Sequence, residues 1–399
     1  MAPLRIPKNV RSYLLPGSML LAGAGCLAAG LLPWSAFASL AGRTAPILAF
    51  VVAMTVVTEL VDDAGLFRVL TDRISALGRG SVFVLWHFVL ALSAIATAFL
   101  SLDTTAVLVT PVVVLLAVHA KIPPLPFALS TVWLANTSSL FLPVSNLSNL
   151  LAQSNMSLSP LGFARLMWAP AAVGVVVPSL LLWLAFRRDL RGRYGPQPVH
   201  AARDRTLLRA SAGTLFVLLP ALVSGVPVAV PAALAAGFLV AMFVVRRPSA
   251  LRWSMLPWRP LMLTAGLFMV IETLHAHGLT QALSPAAGAG AGAGETFPDL
   301  LRLAALGAGS ANIANNLPAY LALEPAAGSP LRLGALLIGV NLGPLISPWA
   351  SLATLLWHER LQSLNLRVRW GGFAVAGAAV VVLALPLAVL ALWLGNGMP

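Results

Sequence analysis

The chain is a succession of apolar runs, most of them roughly 18 to 25 residues long, the length over which a helix crosses the hydrocarbon core of a bilayer. With 59% apolar and only 9% charged residues among 399 positions, and a mean hydropathy of +0.90, it carries too little polar surface to dissolve as a globule. The fold class that follows is an all-α integral membrane protein, in which every amide at membrane depth must be paired within helix, buried in protein or set beside a wet cavity. Spans are expected at 13–33, 44–62, 127–150, 163–186, 210–225, 227–245, 260–277, 331–357 and 371–395, and residues 1–399 form one polytopic domain.

The bases orient those spans. Arg and Lys gather at Arg5/Lys8/Arg11, Arg68/Arg73/Arg79, Arg187 to Arg209, Arg246 to Arg259 and Arg360 to Arg369, which marks these loops as cytoplasmic. Nine crossings then leave the amino terminus inside and the carboxyl terminus outside the inner membrane. The amino-terminal apolar stretch is too long for a signal h-region, so it is read as a retained span. The net charge of +13 sits in short loops with no aromatic stripe beside it, which argues against a nucleic-acid partner. Cys26 is the only thiol, so no disulfide or thiolate cage forms within one chain.

Within this pattern the chain echoes itself. Residues 136–150 align without a gap on 341–355, sharing Asn136/Asn341, Leu140/Leu345, Pro143/Pro348, Leu147/Leu352 and Leu150/Leu355. Residues 57–66 align on 270–279 through Val57/Val270, Glu59/Glu272, Gly65/Gly278 and Leu66/Leu279. Two further stretches, 82–119 and 298–325, are broken midway by SLDTT at 101–105 and SANIANNLP at 310–318. Both are expected to be re-entrant hairpins, the first entering from the cytoplasm and the second from outside. The organisation is therefore two inverted repeats, 44–186 and 260–395, joined by a basic linker at 187–209, with AAGAGAGAG at 286–294 as an unpatterned loop. Paired interrupted segments in corresponding halves point to a transporter's binding site near the midplane.

Chemistry concentrates at those breaks. Asp103, read as the only acid in either hairpin, must pair, bind a cation or carry a proton, or else cap the helix that starts at Thr104. Glu59 and Glu272 stand at matching positions and are read either as bonded to their hairpins or as further proton sites. Asp62 and Asp63 cap or solvate a span end; as metal ligands they would instead suit an intramembrane transferase. The histidines His87, His119, His275, His277 and His358 have no metal-binding spacing, and no nucleophile elbow, Walker loop or dinucleotide fingerprint occurs. No enzyme, metal or cofactor is expected. The remaining lining is neutral and polar: Thr104, Thr105, Asn136, Ser138, Ser145, Asn146 and Asn149 from the first half, Asn312, Asn315, Asn316, Asn341, Ser347, Ser351 and Thr354 from the second. It suits a small polyhydroxy or oxyanionic solute.

SLDTTAVLVTP at 101–111, ANTSSLFLPVSNLSNLL at 135–151, NNLPAYLAL at 315–323 and NLGPLISPWASLATLLW at 341–357 together resemble the arsenite and antimonite efflux permeases, the arsenical pump membrane protein family of the ion transporter superfamily. The resemblance covers most of the chain in order. It implies a secondary carrier with elevator-like movement of its hairpins against a scaffold, exporting arsenite or antimonite in exchange for protons. Asp103 is then the proton site, with Thr104, Asn136, Asn146, Asn316, Asn341, Ser347 and Ser351 around the solute. It also allows a homodimer and a separate cytoplasmic ATPase. One departure is Asn341, where the family pattern places an aspartate ahead of the LGP triplet. The alternative within transport is a sodium- or proton-coupled carrier of dicarboxylates or inorganic anions.

Overall fold

The computed structural model describes residues 8–195, 204–288 and 294–396, and the side chains from Tyr13 onward. Arg5 of the first basic cluster, 196–203 of the linker and 289–293 of the Gly/Ala loop lie outside the described residues. The described chain is helical apart from one isolated bridge. Among the described residues seven helices are long and apolar enough to cross a membrane, eight if one bent pair counts as a span. The protein is a multi-pass membrane protein.

Helix α1 (Lys8–Ala28) is followed by α2 (Trp34–Asp63), which starts ten residues before the expected span. Thr44, where the expected span began, returns its hydroxyl to Leu40 O at 2.8 Å, so the helix carries it without an unpaired group. Gly65, at φ +84°, turns the chain into α3 (Leu66–Leu77). The first hairpin is α4 (Val82–Leu100) and α5 (Leu102–His119). By length and hydropathy each arm is itself a membrane span; a dip and a pair of crossings both return the chain to its starting side. Then come α6 (Leu125–Thr137), a break over 138–146, α7 (Leu147–Met156) and α8 (Pro160–Phe186).

The second half repeats that order. Helix α9 (Arg205–Val223) leads to α10 (Ala229–Arg246) and α11 (Trp258–Ala276). Gly278, at φ +101°, turns the chain by 84° into α12 (Leu279–Ala287). The second hairpin is α13 (Phe297–Ala314) and α14 (Asn316–Ala327), followed by α15 (Pro330–Leu342), a break over 343–351, α16 (Leu352–Ser363) and α17 (Trp370–Asn396).

The halves exchange partners. Helix α1 packs on α11 while α10 packs on α2. Gly266 makes the first contact possible, because a Cβ there would lie 2.3 Å from the carbonyl carbon of Met19. Helix α8 packs over the first break and α17 over the second. Each contact uses a glycine: a Cβ on Gly174 would meet Thr137 O at 2.9 Å, and one on Gly377 would meet Leu345 O at 1.8 Å. In membranes, where lipid is as apolar as any side chain, such close backbone approach is the main source of helix affinity.

The described start of the segment joining the halves, residues 187–195, is docked rather than free. Val82 N donates to Gly192 O at 3.1 Å, Tyr194 N to Gly80 O at 3.0 Å, and Tyr194 Oη to Ser75 O at 2.5 Å, so it is fastened to the base of the first hairpin. Burial raises the Tyr194 phenol above its ordinary pKa. Asp204 caps α9 and pairs with Arg246 at 2.8 Å.

Candidate functional site

Both proline breaks lie at the centre, and amide side chains bind them to each other. Asn136 closes α6 and Asn341 closes α15; each donates Nδ2 to the carbonyl four residues back, Val132 O at 2.9 Å and Leu337 O at 3.0 Å. Each also reaches the helix that follows the other half's break. Asn341 Nδ2 donates to Asn149 Oδ1 at 3.2 Å, and Asn136 Nδ2 to Thr354 Oγ1 at 3.4 Å. Asn149 and Thr354 are themselves equivalent, 205 residues apart like Asn136 and Asn341. Asn341 Oδ1 accepts from Asn146 Nδ2 at 2.6 Å and Ser139 Oγ at 3.2 Å. The carbonyls freed by the first break are held from within: Asn149 Nδ2 donates to Ser139 O at 2.7 Å, and Ser145 Oγ donates to Ser139 O and Leu142 O. Ser138 returns its hydroxyl to Leu134 O at 2.5 Å.

The second hairpin's tip is tied to the second break. Asn315 turns it at φ +89° and donates Nδ2 to Trp349 O at 2.9 Å. Asn312 donates to Gly343 O at 2.8 Å and accepts from Ser347 Oγ at 2.7 Å, while Trp349 Nε1 donates to Asn312 O at 2.6 Å. Asn316 Oδ1 takes the Leu317 amide at 2.9 Å, within its own turn.

Ser101 turns the first tip at φ +136°. The expected alternative, Asp103 as a helix cap, is corrected: Ser101 is the cap, its Oγ accepting the Thr104 amide at 3.2 Å, and Asp103 sits within the first turn of the helix. Thr105 Oγ1 bonds to Thr97 Oγ1 at 2.8 Å, below a π-turn over Thr105–Val109. The tip packs against α6 and α16. Among the buried atoms with no hydrogen-bond partner in the protein are Asp103 Oδ1 on this tip, Asn136 Oδ1 at the end of α6 and Ser351 Oγ at the start of α16. Three packed elements thus each present an unpaired polar atom, and buried polar groups are rarely left so without a reason. The helices α5, α7, α14 and α16 all begin at the breaks or tips, and a helix start carries about half a positive charge.

Glu59 and Glu272 stand apart from this centre. Neither hydrogen-bonds its hairpin, which corrects that reading; each lines a cavity instead. One of about 420 Å³ is walled by Glu59 and Asp62 of α2, Pro111 of α5 and Arg360 of α16. The other, of about 430 Å³, is walled by Glu272 and His275 of α11, Pro325 of α14 and Asn155 of α7. These residues pair position for position between the halves. Asp63, offered as a metal ligand, is instead 3.2 Å from Arg247 Nη1 and fastens α2 to the end of α10. Among the described residues no group of His, Cys, Asp and Glu is placed to hold a metal.

The sequence reading passed over four side chains. Glu324 lies on the second hairpin, so Asp103 is not the hairpins' one acid; Tyr320, Asn155 and Arg43 surround it. The Pro111/Pro325 correspondence was the available signal, since it sets the two hairpins in register.

The sequence profile described as citrate transporter (CitMHS) matches residues 13–331. The arsenical pump membrane protein of Escherichia coli (strain K12) is 29% identical over 369 residues, covering 86% of this chain and 85% of the relative. The protein of the same name from Yersinia enterocolitica is 30% identical over 371 residues, with the same shares. The crystal structure of the Alcanivorax borkumensis YdaH transporter superposes with a TM-score of 0.59 over 91% of this chain and 89% of that one; at 16% identity this is a likeness of fold.

Proposed function

The chain belongs to the citrate transporter family and to the arsenical pump membrane proteins within its reach of similarity, and from that premise we propose that it exports arsenite or antimonite in exchange for protons. The observation that carries this reading is the trio of unpaired buried atoms, Asp103 Oδ1, Asn136 Oδ1 and Ser351 Oγ, on elements that pack together. Arsenite near neutral pH is a small neutral triol, both donor and acceptor, so amide, hydroxyl and carboxylate oxygens can bind it without a cationic clamp. A carboxylate among them alternates between accepting from the solute and holding a proton, which is the exchange a proton antiporter performs.

Citrate or another multiply charged anion is the less suited cargo. No Arg, Lys or His lies among the residues of the breaks and tips named above, and a buried polyanion with only partial helix charges around it would remain largely uncompensated.

The movement we propose is of the two hairpins and broken helices against α1, α2, α10 and α11, as inverted repeats 44–186 and 260–395. Reciprocal packing of α1 on α11 and α10 on α2 supports it, as does the single additional helix α9, which reverses the second half if it crosses once. The amino terminus then lies in the cytoplasm.

The test is arsenite uptake into everted vesicles, with and without an acidic interior. Gradient-driven uptake that disappears in Asp103→Asn, with the protein still folded, is the expected result. Uptake indifferent to the gradient removes proton coupling, and no arsenite movement removes the substrate. Cys26→Ser should leave uptake intact; its loss would point to thiol ligation.

A further inference from the structure

We propose that Glu324 is a second proton-binding site, and that its charge governs how closely the second hairpin is held against α2. The proposal rests on the reading of the hairpins as the moving part. Glu324 is 7% exposed and lies on α14, the hairpin's returning arm. Its Oε1 accepts from Tyr320 Oη at 2.9 Å, one turn earlier, and from Asn155 Nδ2 on α7. Asn155 Oδ1 in turn accepts from Arg43 Nη1 on α2 at 3.4 Å. A carboxylate on the hairpin is thus joined through one amide to a cation on the helix opposite. With both donors on Oε1, the second oxygen is left to the 430 Å³ cavity that Glu324 lines.

The charged and titratable groups around Glu324 are few. Helix α2 brings Arg43, α11 brings Glu272 and His275, and α14 itself brings Tyr320. Helix α7 contributes only the neutral Asn155, and α12 has no ionisable residue. On α13, Arg302 is held at Pro285 O and Asp299 by Thr296; on α15, Arg332 is spent on Ala327 O, Ala287 O and Gly294 O. Among the described residues ionised Glu324 therefore has Arg43, reached through Asn155, as the cation to attract, and a proton on Glu324 cancels that attraction across the cavity.

The comparison between halves separates this from a requirement of the fold. The equivalent cavity keeps Glu59 for Glu272 and Pro111 for Pro325, yet the position of Glu324 is occupied by Thr110. Thr110 is satisfied inside its own bundle, by Thr131 Oγ1 at 2.9 Å and Thr105 O at 3.2 Å. The architecture stands on one side without an acid at that hairpin position.

The experiment is cysteine labelling and needs no arsenite. Leu321, 4% exposed on α14 and facing the cavity, is replaced by Leu321→Cys in a Cys26→Ser background. Its maleimide labelling is followed in membranes as pH is lowered, relative to Ser224→Cys on an exposed turn. The relative rate should rise about tenfold as Glu324 takes its proton. Adding Glu324→Gln should hold it high and flat with pH, and Arg43→Gln, which leaves the acid in place, should do the same. A flat parent, an unchanged profile in both variants, or a pH dependence abolished by His275→Gln but not by Glu324→Gln would each overturn the proposal. Because the readout is independent of transport, a protein that moves no arsenite would refute the function proposed above and leave this test standing.

Discussion

Truncating Asn341 to alanine should cost far more stability than the same change at its counterpart, Asn136. Asn341 makes four hydrogen bonds, with Asn146, Ser139, Asn149 and Leu337. After Asn341→Ala, Ser139 Oγ keeps Asn136 O at 2.6 Å and Leu337 O keeps its place in the helix. Asn146 Nδ2 and Asn149 Oδ1, both on buried residues, are left without their partner. Two orphaned groups at about 1 to 3 kcal/mol each set the upper bound, and side-chain bonds in membrane helices, which average about 0.6 kcal/mol, set the lower. The expected loss is about 2 to 4 kcal/mol. Asn136 makes only two bonds, one of them at 3.4 Å, and its Oδ1 is unpaired, so Asn136→Ala should lose about 1 kcal/mol or less while abolishing transport. The assay is reversible unfolding in mixed micelles, with a double-mutant cycle between Asn341→Ala and Asn146→Ala expected to show coupling of about 1 to 2 kcal/mol. Equal losses at the two asparagines, or an additive cycle, would refute the hydrogen-bond assignment at the crossing.

Three further outcomes are expected. Gly339→Ala would bring a Cβ within 2.1 Å of Ala304 O between α15 and α13, whereas Gly371 has nothing within 4 Å; thermal unfolding should fall sharply for the first and stay near wild type for Gly371→Ala. At the first tip, Ser101→Ala loses the cap and keeps the strained φ of +136°, while Ser101→Gly relieves the backbone, so glycine should melt higher than alanine, by roughly 1 kcal/mol. The Arg246 hydrogen bond holds Asp204 below its ordinary carboxylate pKa, so its contribution is full above the unfolded value and fades as pH falls through the folded one; Asp204→Asn should lower the melting temperature at pH 7 and make no difference in strong acid.

Much of the bundle is legible from residues alone, because a bilayer demands unbroken apolar helix and punishes each exception. The exceptions therefore stand out, and Asn136, Pro143, Asn341 and Pro348 fall at the crossing. What stays hidden depends on contacts between distant elements. The exchange of α1 and α10 leaves no periodic signature, since lipid-facing and helix-facing residues are equally apolar. Helix capping at the first tip turns on a backbone angle at Ser101 that the SLDTT string does not announce. Glu324 is obscured by the drift of the repeat: the echo is offset by 205 residues at the breaks and 213 at the spans, and only Pro111 and Pro325 set the hairpins in line.

The tie between the second tip and its break has a consequence for which way the protein rests. Asn312 clasps Gly343 and Ser347, and in the hairpin register its counterpart is Ala98, which has no amide to offer. The two hairpins are built alike but are not fastened alike. If they act as gates, the closed form of one is favoured over the closed form of the other even with no solute and no gradient. An idle carrier of this kind waits predominantly on one side of the membrane, and the replacement Asn312→Ala would let it wander.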